Sequence, residues 1–219
     1  MDIQYTLDFL KDLSRNNRKE WMDDNRKRYL EAKEIMIQVV SEVLAKVSSF
    51  DASVATLEPK KTLFRINRDI RFSKNKDPYK TNFGAFLVEG GKKSGLPGYY
   101  IHIQPGNNFM GGGIYQPSSD VLAKVRQEID YSGKELMEII NDKNFKSTFP
   151  TPYQEDRLKT SPKGFPKDHP HLHLLQLKHY IFMRQIDDGE VTSQSFVEMV
   201  TNHFRTLYPF NRFLANALA

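Results

Sequence analysis

The 219-residue chain contains no cysteine, which excludes a disulfide framework, a thiol nucleophile and a thiolate metal site. No apolar run approaches the roughly 18 uninterrupted residues of a membrane-spanning helix. The opening Met1-Asp2-Ile3-Gln4-Tyr5 has neither a basic n-region nor an apolar h-region, so the expectation is no secretory signal and a soluble, cytoplasmic protein. Gly111-Gly112-Gly113 is not followed by Lys-Ser or Lys-Thr, and G-x-G-x-x-G, G-x-S-x-G and H-E-x-x-H do not occur. No P-loop, dinucleotide fingerprint, nucleophile elbow or zinc helix is therefore expected, and nothing calls for a cofactor. Repeats and low-complexity tracts are also missing. Tryptophan is scarce at one residue, but 15 Phe and 10 Tyr argue against a disordered chain.

The charge present is unevenly placed. The whole chain carries +5, yet residues 60–80 hold eight Lys or Arg against Asp69 and Asp77, a local +6 that leaves −1 for everything else. Such concentration suggests a local anion site rather than a protein coated with charge. The competing structural reading is a solvated edge strand guarded by lysines.

Periodicity organises the chain into three parts of one domain spanning residues 1–219. Residues 1–50 read as helical: a short piece over Thr6–Leu13, a break at Ser14–Asn17, and a long helix from about Arg18 to Ser49. The long helix has a 3–4-spaced stripe of Trp21, Met22, Tyr29, Ala32, Met36, Val39, Val43 and Val47. Residues 60–116 read as strands. Phe64, Ile66, Ile70 and Phe72 share one parity and Arg65, Asn67, Asp69 and Arg71 the other, with Arg68 interrupting the apolar set. Further strands are expected over residues 82–88, 99–104 and 108–115, the last two joined by a turn at Pro105-Gly106-Asn107. Residues 117–219 are mixed and mostly helical. Ser118 or Ser119 would cap one helix, and Ser132-Gly133-Lys134-Glu135 has the spacing of a capping box for another. The proline-punctuated residues 150–168 are loop, Asp168 would cap a short helix through Leu177, and residues 180–186 form a strand. The final helical stretch, 192–218, would break at Pro209. Helices, then consecutive strands, then helices predict an α+β fold, a mainly antiparallel sheet packed with N-terminal and C-terminal helices.

Several residues could carry chemistry. Arg65, Arg68, Arg71 and Lys80 would grip phosphate or carboxylate, with Asp69 as a low-pKa carboxylate holding an arginine in orientation rather than as a base. Gly112, within the glycine run, would give a flat ligand floor beside Tyr115; the alternative is close backbone approach. Lys163, on the Lys163-Gly164-Phe165-Pro166 loop, would close over the arginines as a lid, unless Phe165 simply pins the loop to the core. The histidines at 169, 171, 173 and 179 are poorly spaced for a metal, and none is assigned. His102, beside Tyr100 and Gln104 on one strand parity, is a possible base or a hydrogen-bonded packing residue.

Arg65-Ile66-Asn67-Arg68-Asp69-Ile70-Arg71-Phe72-Ser73-Lys74, followed by Lys76-Asp77-Pro78-Tyr79-Lys80-Thr81-Asn82, resembles the domain-of-unknown-function family numbered 2461. Asn16-Asn17-Arg18-Lys19-Glu20-Trp21, Tyr99-Tyr100-Ile101-His102-Ile103, Gly111-Gly112-Gly113-Ile114-Tyr115 and residues 163–170 resemble it too. The resemblance implies a single-domain, stand-alone protein and carries no activity with it. Three functions then compete: a small-molecule protein with a phosphate or carboxylate pocket, a weak non-specific nucleic-acid module stacking bases on Tyr79, Tyr99 or Tyr100, and a scaffold without ligand. Recessed arginines paired with Asp69 would favour the first, and an exposed stripe the second. No membrane partner is expected, and oligomeric state is open.

Overall fold

In the computed structural model, which describes residues 2–219, the chain begins with α1 (Ile3–Arg15), α2 (Lys19–Asp24) and α3 (Arg26–Val47). The expected long helix is divided at Asn25, whose side-chain amide bonds the Trp21 carbonyl at 2.9 Å. An asparagine that satisfies the backbone locally competes with the helix ladder. The apolar stripe nevertheless faces inward as its spacing requires, with Met22, Ala32, Met36, Val39, Val43 and Val47 all buried.

A short helix, α4 (Pro59–Thr62), leads to β1 (Phe83–Leu87), β2 (Gly98–Ile103) and β3 (Asn108–Ile114). After α5 (Ser119–Asn141), α6 (Lys143–Thr148) and α7 (Leu172–Leu175) comes β4 (Tyr180–Ile186), followed by α8 (Asp188–Thr192) and α9 (Phe196–Asn216). The strands form one antiparallel sheet in the order β1-β2-β3-β4, so the molecule is a single-domain α+β fold. Pairing of Ile101 with Met110 and of Gly112 with Phe182 fixes which side chains share a face. Tyr99, Ile101, Met110 and Phe182 point to the helical side, where Tyr99 meets Phe204 and Phe182 meets Phe210 of α9 at ring separations of 4.9 and 5.0 Å. The other face carries Tyr100, His102 and Phe109, all half-buried. No helix among the described residues is long and apolar enough to cross a membrane.

Three local expectations need correction. Residues 63–72 make no strand: only the isolated bridges Leu63–Ala85 and Asn67–Tyr79 form. Alternation alone cannot hold a strand without a continuous partner, and Phe72 stands almost fully exposed. The spacing at Ser132 does mark a helix boundary: Ser132 is non-helical (φ −117°, ψ 22°), and two helices meet across a kink there within α5. The N-cap of α7 is His171, not Asp168, because the His171 carbonyl accepts the first helical bonds, from the Leu174 and Leu175 N–H groups at 2.9 and 3.1 Å. Pro209 lies within α9 instead of breaking it. It sits on the exposed side, where water can satisfy the carbonyl it leaves unpaired.

Candidate functional site

The arginine segment is a finger. Residues 66–68 pair with 78–80 through Arg68 N–H to Pro78 O at 2.9 Å and Lys80 N–H to Ile66 O at 2.8 Å. Asn17 clamps this neck from outside: its Oδ1 accepts from the Tyr79 N–H at 3.1 Å and its Nδ2 donates to the Tyr79 carbonyl at 2.9 Å. Ile66 and Tyr79 are buried, which anchors both arms. The break between α1 and α2 is thus the finger's mount, a role that helix periodicity could not indicate.

At the tip, Asp69 binds Arg71 bidentately at 2.9 and 2.7 Å. The Arg71 side chain and backbone N–H, with a contribution from Arg65, hold the Asp69 carboxyl below its usual range, and Asp69 in turn raises Arg71. Asp69 therefore orients an arginine, as its neighbours suggest. The arginines are not recessed, however: the Arg71 side chain is 76% exposed. Arg68 is half-buried and donates to Ser73 Oγ at 3.3 Å.

Arg65, at the base of the finger, lines a cleft of about 490 Å³ between α3, α4 and β1. Four cations look into it, Lys33, Lys60, Lys61 and Arg65, against the single carboxylate of Glu58, which pairs with Lys61 at 2.6 Å. Aromatic rings supply its apolar wall. Tyr29 and Phe83 stack at 6.3 Å with planes 5° apart, and Phe64 contributes a third ring. Beyond the rim, Phe64 lies between two further ammonium groups, Lys80 at 5.4 Å and Lys92 at 5.1 Å. Lys92 also donates to the carbonyls of Lys61 and Leu63 at 2.7 and 2.5 Å, tying the β1–β2 loop to the end of α4. Burial, then repulsion from Arg65, lowers Lys80; burial, then Lys80, lowers Lys92. Neither has an ion-pair partner among the described residues.

The structure therefore brings Arg65 and Lys80 together, adds Lys33, Lys60, Lys61 and Lys92, and leaves Arg68 and Arg71 on the finger. Three expected site residues lie elsewhere. Gly112 is buried, and a side chain there would meet Leu207 and Asn211 of α9, so it offers no ligand floor. Tyr115 stacks on His179 at 5.0 Å, at the far end of the sheet from Phe83. Lys163 is exposed on a loop whose Phe165 packs on the core and on His169, while His169 bonds Asp130 of α5 at 2.9 Å. The loop is held beside α5 by the His169–Asp130 bond, with Phe165 packed on His169. Of the tyrosines expected to stack on bases, Tyr79 and Tyr99 are buried.

His102 is a packing residue. Its Nε2–H donates to Gln104 Oε1 at 3.0 Å, leaving Nδ1 to accept from Tyr100 Oη at 3.1 Å, and its ring stacks on Phe109 at 4.4 Å. Burial lowers His102 and pushes Tyr100 up to about 12, so both remain neutral and the proton stays on the phenol. His171 packs where a Gly133 side chain would be, next to the α5 kink, which accounts for that glycine structurally.

A family model described as Conserved hypothetical protein (DUF2461) matches residues 5–213. No curated protein and no solved structure matches the chain.

Proposed function

Since the chain belongs to the conserved hypothetical family DUF2461, a family of unknown function, we propose from the geometry alone that it binds a small phosphate- or carboxylate-bearing ligand in the cleft at Arg65. The observation that carries this reading is the ratio of charge on an aromatic wall: Lys33, Lys60, Lys61 and Arg65 face one carboxylate, Glu58. Arg65 has no carboxylate bonded to it among the described residues, so its planar fork is available for an oxyanion. Tyr29, Phe64 and Phe83 suit a ligand with a flat or apolar body, because a small number of polar groups on an apolar wall is the usual composition of a ligand site. Lys80, close enough to Arg65 for the two to repel, adds positive potential that an anion would relieve.

The proposed activity is binding. Calorimetric titration with phenyl phosphate, which combines an aromatic body with an oxyanion, tests it. The wild type should bind, and Lys60→Ala/Arg65→Ala should bind about tenfold more weakly or worse, in line with loss of charge-assisted hydrogen bonds. Both residues are exposed, so the variant should unfold cooperatively near the wild-type temperature. Equal affinities would reject the cleft.

A further inference from the structure

The tip of the finger carries a chemistry separate from the cleft. Phe72 is 95% exposed, more than any other large apolar side chain among the described residues. A ring so placed contributes nothing to the core, and it stands within a basic tip of Arg68, Arg71, Lys74 and Lys76. The tip is ordered by its own hydrogen bonds. Lys76 Nζ donates to the Ile70 carbonyl at 3.0 Å, Arg68 to Ser73 Oγ at 3.3 Å, and Asp69 fixes the plane of Arg71. Arg71 in turn sits 5.8 Å from the Phe72 ring centroid. Asn17 clamps the neck of the finger at Tyr79.

We propose that this finger binds single-stranded nucleic acid, with Phe72 stacking on an unpaired base while Arg71, Lys74 and Lys76 contact the neighbouring phosphates. An exposed aromatic face beside cations is the combination that grips a single strand, since every base has a π-face and the backbone is regularly charged. A paired base offers no such face, so duplex should bind only through charge. An anionic bilayer fits less well. One apolar group is a marginal anchor, and Phe72 is the single large apolar side chain so exposed at the tip. The inference does not depend on the cleft, because none of the tip cations lines it.

Fluorescence anisotropy with a labelled fifteen-nucleotide oligothymidylate and an abasic strand of equal length separates stacking from charge. The wild type should prefer the base-bearing strand, and Phe72→Ala should lose roughly tenfold in affinity for it, down to the abasic level. Phe72→Trp should retain the preference. Lys74→Ala/Lys76→Ala should weaken both strands alike and flatten the salt dependence. Phenyl phosphate titration of Phe72→Ala should match the wild type, so that failure of the finger and failure of the cleft remain distinguishable. The proposal is overturned if the wild type shows no preference for bases or no binding, or if Phe72→Ala binds like the wild type. It is equally overturned if Phe72→Ala loses binding only to vesicles of phosphatidylcholine and phosphatidylserine.

Discussion

Lys80 and Lys92 share Phe64 as a neighbour, and neither has a carboxylate partner among the described residues. Holding like charges around a half-exposed ring is unfavourable in isolation and becomes favourable when an anion arrives. This gives a pH dependence with a definite sign. A lysine lowered by burial and by Arg65 loses its proton as pH rises through a value below the ordinary lysine range. Affinity for phenyl phosphate should therefore begin to fall earlier than an unperturbed lysine would allow, by about two- to fivefold for one lost neighbouring charge. Lys80→Arg should remove that early decline, and identical pH profiles for the two proteins would detach Lys80 from the site. At this scale Asp69 was legible because its partner Arg71 is two residues away. Lys92 and Asn17 were not, since only the β1–β2 loop and the α1–α2 break bring them to residues 61–64 and 79.

Among the elements, the strands could be read from pattern, the edge strand β4 residue for residue and the β2–β3 hairpin within one residue at each end. The segment after α4 shows the limit of that method. Its alternation, interrupted at Arg68, reads as a strand, but β1 receives only the Phe64 N–H at Gly84 O and the Leu63–Ala85 bridge, after which the chain turns outward. Periodicity reports which residues could share a face, whereas a strand also needs a neighbour along its length. The glycine run is understood by the same argument. A side chain at Gly113, whose φ is +118°, would come within 1.9 Å of the Tyr180 carbonyl oxygen where β3 meets β4. Gly113→Ala should cost about 3–5 kcal/mol, because backbone strain and a hard overlap add. At Gly164, also left-handed (φ +94°) but with nothing within 4 Å, alanine should cost only about 1–2 kcal/mol. Urea midpoints of the two variants check this, and equal losses would mean that strain alone, not close strand approach, demands glycine at 113.

For the molecule as a whole, the local excess of charge over residues 60–80 divides between two structures that a linear reading merges. Lys60, Lys61 and Arg65 turn toward the cleft, while Arg71, Lys74 and Lys76 travel out on the finger. The helices and the helical face of the sheet form one continuous core, which also takes in Ile66 and Tyr79 at the neck of the finger. That separation makes the central claim, an oxyanion site at the cleft, open to a direct crystallographic measurement. Crystals of the wild type soaked in selenate, whose tetrahedral oxyanion is an anomalous scatterer, should show a peak in the cleft within hydrogen-bond reach of Arg65 and of Lys60 or Lys61. Peaks confined to the finger or to other surface lysines, with the cleft empty at the same selenate concentration, would contradict the account.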